Sequence, residues 1–137
     1  MLIKNHKAYR DCRIIAEKEA GVVLWGSEVK SLRSGQANLD GALIHLRNQE
    51  AFLVGAYIAP YQTNRESLDP KRTRKLLLNK KELIAWFNKI KQEKLIILPL
   101  EWYNKGNLIK LRIALGKKKK TEGKKLPSLR SQEFRQS

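Results

Sequence analysis

The side chains able to do chemistry in this chain are mostly cations, and their spacing suits them to phosphate. Arg72 and Arg74 alternate, so in an extended segment both point the same way as fork-shaped donors, and Lys75 follows directly. Lys110 and Arg112 repeat that spacing nearer the C-terminus. Lys117, Lys118, Lys119 and Lys120 form an unbroken run, with Lys124 and Lys125 just beyond. Phosphate contacts of this kind position a protein on nucleic acid without reading its sequence. Tyr57, Tyr61 and Tyr103 are candidates to stack on unpaired bases. Trp25, Trp86 and Trp102 fall on apolar faces and are expected in the core. Catalytic constellations are thin. One cysteine, Cys12, and two distant histidines, His6 and His45, give no zinc spacing. No glycine-rich phosphate loop occurs, and the Glu17 and Glu19 pair lacks the further acids a metal nuclease gathers. The expectation is a binding protein, not an enzyme, with no cofactor and no metal.

The charge balance agrees. The 137 residues carry 29 Lys and Arg against 13 Asp and Glu, a net charge of +16. Residues 1–60 hold eight basic and six acidic side chains, while residues 61–137 hold 21 and seven, so the surplus lies almost wholly in the second half. With an isoelectric point near 10.2, two separate clusters favour a nucleic-acid partner over a merely solvated surface. A hydrophobic fraction of 42% is too high for a wholly disordered chain, and the length allows one core. No run approaches the ~18 apolar residues of a membrane span. The first residues lack the apolar region of a signal peptide. A lone cysteine suits a reducing compartment, so a cytoplasmic protein with no membrane partner is expected.

The elements that must position these groups follow from periodicity. Residues 1–8 read as a flexible arm, and Tyr9 to Ala16 as a weakly alternating strand. Val22, Trp25, Val29 and Leu32 share one face of a helix that Ser34-Gly35 ends. Leu43–Arg47 and Ala51–Ile58 read as strands joined by the polar turn Asn48-Gln49-Glu50. Pro60 to Pro70 reads as a loop, and Leu76-Leu77-Leu78 as a short strand. Asn79 and Glu82 resemble a capping box that opens a helix to about Glu93, buried along Leu83, Trp86, Phe87 and Ile90. Leu95–Trp102 and Leu108–Leu115 make a final hairpin, with Pro99 at an edge or bulge and Lys110 and Arg112 outward. Short polar turns favour antiparallel pairing. The fold class is therefore α+β dominated by β: a small antiparallel barrel over residues 1–115 with flanking helices, and a basic tail over 116–137.

Several separated strings resemble one family. They are Glu19-Ala20-Gly21, Gly26-Ser27-Glu28-Val29-Lys30-Ser31-Leu32-Arg33-Ser34-Gly35, Glu50-Ala51-Phe52-Leu53-Val54-Gly55, Asp69-Pro70-Lys71-Arg72-Thr73-Arg74-Lys75-Leu76-Leu77-Leu78, and Gly116-Lys117-Lys118. Together, over about residues 5–118, the chain resembles the SsrA-binding protein family, also called small protein B. The resemblance implies an oligonucleotide-binding-type (OB-like) barrel and a partner, transfer-messenger RNA (tmRNA). It implies that the barrel holds the elbow of the tRNA-like domain as a monomer. The complex would then reach stalled ribosomes for trans-translation, with the tail entering the small-subunit decoding region. By position, the resemblance carries RNA binding to Asn5, Glu19 and Leu77, beside the basic candidates Arg72, Arg74, Lys75, Lys110 and Arg112. It carries ribosome binding to the tail cations Lys117, Lys118, Lys119, Lys120, Lys124 and Lys125.

The tail departs from the family pattern. A His/Tyr-Asp-Lys-Arg element normally follows the Gly-Lys-Lys, and then a long basic helix. Here Thr121-Glu122-Gly123-Lys124-Lys125-Leu126-Pro127 stands instead, and Gly123 and Pro127 oppose a continuous helix. The alternative expectation is a general structured-RNA-binding or ribosomal-protein-like module without rescue activity.

Overall fold

The structure is a computed structural model that describes residues 2–60 and 69–119. Its strands are β1 (Leu2–Lys4), β2 (Cys12–Val22), β3 (Ala37–Asn38), β4 (Leu43–Arg47), β5 (Glu50–Val54), β6 (Tyr57–Ile58), β7 (Arg74–Leu77), β8 (Ile96–Lys105) and β9 (Leu108–Lys118). Its helices are α1 (His6–Asp11), α2 (Gly26–Arg33) and α3 (Lys80–Glu93). Seven strands form one antiparallel sheet in the order β1-β8-β9-β2-β7-β5-β4, and β3 pairs with β6 apart from it.

The fold is OB-like and dominated by its sheet, but the barrel does not close. Among the described residues no ladder joins the edge strand β4 to β1 or β8. An opening of about 590 Å³ lies there instead, lined by Ile44 and Leu46 of β4, Leu95 and the first residues of β8 (Ile96 to Leu98), and Ala8 and Cys12. Where a closed barrel would pair its edges, α1 covers part of this one instead, packing Ala8 against Leu98 and Leu100.

The N-terminal segment is not a free arm. Asn5 caps α1, its Oδ1 accepting from the Ala8 N–H at 3.3 Å. Its Nδ2 donates to the Pro99 carbonyl at 2.8 Å and its own N–H to the Leu100 carbonyl at 2.7 Å. The β8–β9 register shifts between Pro99 and Glu101, the bulge that is one of the two expectations at Pro99. Asn5 therefore takes up carbonyls at an irregular point of the sheet.

The inner face follows from alternation. Leu111, Ile113 and Leu115 of β9 meet Leu53 of β5, Ala20 of β2 and Trp102 of β8, all with essentially no exposed surface. α3 spans the expected residues, opens on Asn79, whose side chain accepts from the Lys81 N–H at 2.9 Å, and buries Leu83 and Trp86. Phe87 does not join that stripe and is exposed. α2 begins four residues later than the apolar spacing predicts. Val22 belongs to β2, and Trp25 is the extended N-cap residue, so the stripe never forms a single helical face. The expected strand over 51–58 breaks at Gly55, whose φ of +78° is a left-handed conformation that ends β5 before β6. β9 continues through Lys118, three residues past the expected end of the barrel, and the Lys119 N–H donates to the Asp11 carbonyl at 3.0 Å. No helix of the described residues is long and apolar enough to cross a membrane.

Candidate RNA-binding face

Directly opposed residues of antiparallel strands point to the same side of a sheet. Lys4 opposes Glu101, Glu101 opposes Arg112, and Arg112 opposes Glu19, so four charges of alternating sign cross β1, β8, β9 and β2 on the outer face. The neighbouring row is Leu2, Tyr103 and Lys110, followed on β2 and β7 by Gly21 and Leu77.

These rows are tied together. Arg112 Nε donates to Glu101 Oε2 at 3.1 Å and lies 3.9 Å from Glu17. The Arg112 guanidinium stacks over the Tyr103 ring, 4.5 Å from its centroid, the geometry of a cation–π contact. The Tyr103 hydroxyl donates to Glu19 Oε1 at 2.6 Å, and Lys105 Nζ lies 3.3 Å from Glu19 Oε2. The Tyr9 hydroxyl donates to Glu101 Oε1 at 3.1 Å. The hydrogen bond from Tyr103, with help from Lys105, holds the Glu19 carboxyl below its ordinary range. Burial and the bond to Glu19 push the Tyr103 phenol up to about 12, so it remains a donor at neutral pH. The bond to Glu101 raises Arg112 further. The face thus presents an ionised carboxylate fixed by a phenol, and a guanidinium fixed by a ring and a carboxylate.

Leu77 completes the face. Its side chain is 53% exposed, although it lies in the middle of an apolar run. It packs across Gly21 of β2, where an added Cβ would stand 3.3 Å from the Leu77 Cβ. Gly21 is therefore the residue that lets Leu77 lie flat on the sheet. Lys75, two residues earlier, is exposed and reaches Glu50 Oε2 at 3.1 Å.

Other expected site residues sit elsewhere. Arg72 and Arg74 do point the same way, but towards Glu28 of α2 and not towards solvent. Arg72 donates to Glu28 from Nη2 at 2.6 Å and from Nε at 2.9 Å. Arg74 donates to Glu28 Oε2 from Nε at 3.0 Å and Nη2 at 2.9 Å. Its Nη1 also donates to the Ala56 carbonyl at 2.8 Å, and its Nη2 to that of Pro70 at 3.0 Å. Arg74 is wholly buried, so the expected phosphate donor is a buried structural ion. Burial works to raise the Glu28 carboxyl, but bonds from Arg72, the Trp25 N–H and Arg74 outweigh it and leave the group below its ordinary value. Asn5 is likewise buried, its amide engaged within the protein.

Lys117 and Lys118 are exposed ends of β9, and Lys119 follows them. Lys120, Lys124, Lys125 and Tyr61 lie outside the described residues. Of the three tryptophans, Trp86 and Trp102 are core, whereas Trp25 is 50% exposed, contrary to expectation. Sequence reasoning missed Tyr9, Glu101 and Lys105 as partners in the face. The alternation of β8 carried that signal, since it places Glu101, Tyr103 and Lys105 on one side. Among the described residues no group of three or more His, Cys, Asp and Glu is placed to hold a metal ion.

An open antiparallel OB-like sheet with fixed charges and exposed apolar groups on one face defines a class of protein, the small basic OB-like domain. A protein-family model described as SmpB protein matches residues 2–137. The SsrA-binding protein of Carboxydothermus hydrogenoformans is 41% identical, covering 91% of this chain and 85% of that one. The SsrA-binding protein of Geotalea uraniireducens is 45% identical, covering 91% and 83%. A solved structure described as "tmRNA-SmpB: a journey to the center of the bacterial ribosome" aligns over 98% of this chain and 95% of that one, with a TM-score of 0.72 and 35% identity. The chain belongs to the SmpB family.

Proposed function

We propose that this protein binds the tRNA-like domain of tmRNA and delivers it to stalled ribosomes, where incomplete peptides are tagged and the ribosome is released. It acts in the cytoplasm as a binding protein, not as an enzyme. The observation that carries this reading is the outer face that unites Glu19, Tyr103, Arg112 and exposed Leu77 across four strands. A carboxylate held ionised accepts hydrogen bonds from the amino edge of an unpaired base. Lys110, Arg112 and Lys75 supply phosphate contacts beside it. Glu28, Arg72, Arg74 and Asn5 act behind the face, fixing the strands that present it. The ribosome-binding role falls to Lys117 and Lys118, the exposed end of β9, and to Lys119, Lys120, Lys124 and Lys125 after them.

The test compares affinity for a transcript of the tRNA-like domain with that for a random RNA of equal length over a salt series. Both affinities fall with salt as phosphate counterions are released. The expected result is that the tRNA-like domain binds tighter at every salt concentration, and equal affinity throughout would overturn the reading. A second reading, a structured-RNA-binding module without rescue activity, is favoured by one observation. Thr121 to Pro127 stand where the family's Asp-Lys-Arg element is expected. Peptide tagging on stalled ribosomes by the full-length chain decides between the two.

A further inference from the structure

Trp25 is a large apolar side chain that the fold does not use for its core. Half of its surface is exposed, while Trp86 and Trp102 are buried. A single exposed hydrophobe is ordinary, but this one has company and a fixed base. Val23 is 48% exposed and Leu77 53%, and the ladder runs from Leu77 beside Gly21 to the Lys75 carbonyl, which accepts from the Val23 N–H at 3.0 Å. Val23 and Trp25 therefore extend the candidate RNA face past the end of β2.

The backbone leading into Trp25 is held by the buried ion cluster. Arg72 Nη2 donates to the Val23 carbonyl at 3.3 Å, and the Trp25 N–H donates to Glu28 Oε1 at 2.9 Å. Glu28 is in turn gripped by Arg72 and Arg74. The indole thus starts from an immobilised backbone, which lowers the ordering penalty on binding. Lys75, whose carbonyl accepts from the Val23 N–H, is exposed, as is Lys71 just before Arg72. An exposed indole on a held backbone, continuous with a charged sheet face that carries Lys75, is the chemistry that receives an unpaired nucleotide, with the base on the ring and its phosphate on a lysine of that face.

We infer that Trp25 is a stacking platform for an unpaired base of the bound RNA. This rests on the proposed tmRNA function and adds a contact to it. The test uses the full-length protein and a transcript of the tRNA-like domain. Trp25 is the tryptophan open to acrylamide, because the other two are buried. The expected result is that RNA quenches its emission and shields it from acrylamide. Trp25→Ala should weaken binding roughly tenfold. The slope of affinity against salt should stay unchanged, because stacking releases no counterions. Trp25→Phe should keep most of the affinity.

Unchanged affinity of a folded Trp25→Ala protein would overturn the inference. So would acrylamide access that RNA leaves as it was, a measurement on the wild-type chain that does not depend on the variant folding. Access lost only when ribosomes are added would place a ribosomal surface there and equally overturn it. If the wild-type chain fails to prefer the tRNA-like domain, the functional reading falls and takes this inference with it. If it keeps the preference while Trp25 stays open, the inference alone falls.

Discussion

Two clusters of carboxylate and arginine lie within the same sheet, and they differ in almost everything but composition. In one, Glu28 is buried and receives four hydrogen bonds from Arg72 and Arg74, plus the Trp25 N–H. In the other, Glu19 and Arg112 lie a third exposed on the outer face, joined through Tyr103, and Arg112 reaches the nearly buried Glu101 beside them. The buried cluster locks α2 against the strand that carries Leu77. The outer cluster also links elements, β2, β8 and β9 and through Tyr9 the helix α1, but it does so largely through side chains that water can still reach. Residue type therefore does not divide scaffold from site in this molecule, and access to solvent does. A buried guanidinium that loses its partner is stranded, whereas an exposed one is rehydrated.

The largest effect that follows is on Glu28. Glu28→Ala leaves Arg74 charged and buried with its main acceptor gone, and should destabilise the fold by about 3–5 kcal/mol. That is a large fraction of the ~5–15 kcal/mol typical of a domain. Urea unfolding measures it, and Glu28→Gln, which keeps an acceptor oxygen, should lose less. A change below ~1 kcal/mol for Glu28→Ala would break the contrast between the clusters.

Acid sharpens the same contrast. Because the folded Glu28 carboxyl lies below its unfolded value, its contribution is complete above the ordinary carboxylate pKa near ~4.3 and is lost as pH falls through the lower, folded value. Stability should therefore drop on acidification below roughly pH 4. Glu28→Gln, which cannot titrate, should flatten that drop in urea midpoints measured between neutral and acid pH.

The contrast also explains what could be read in the chain beforehand. Period-two alternation located the hairpin of β8 and β9, and helical spacing with Asn79 located α3, because those signals are local. The bulge at Pro99 was legible because proline cannot donate to a ladder. Arg72 and Arg74 were placed correctly on one side, but alternation says nothing of whether that side meets water. The answer lay in Glu28, 44 and 46 residues away. Asn5 shows the same gap, since its partner Pro99 is 94 residues distant. Trp25 looks like a core residue in the sequence because an apolar spacing of three and four continues across the join between β2 and α2, where no single helix exists. The resemblance to a family supplied Glu19 and Leu77, which periodicity alone could not set apart.

On the exposed cluster the predicted effects move from folding to binding. Glu19→Ala should leave the urea midpoint nearly unchanged, yet weaken binding of the tRNA-like domain roughly tenfold. The sign is informative, since removing an acid from a chain of net charge +16 should strengthen attachment to any polyanion. Tighter binding would make Glu19 a mere charge on the rim. Tyr103→Phe is the gentlest test. It removes the hydroxyl that donates to Glu19 while keeping the ring under Arg112. The Glu19 carboxyl should then titrate nearer its ordinary range, because its largest support below that range is this bond. Carboxyl chemical shifts followed through the acid range would show the rise. At neutral pH Glu19 stays ionised either way, so RNA affinity should fall by a few-fold at most. A loss as large as that of Glu19→Ala would mean that the phenol sets where the carboxylate points, and that its position matters as much as its charge.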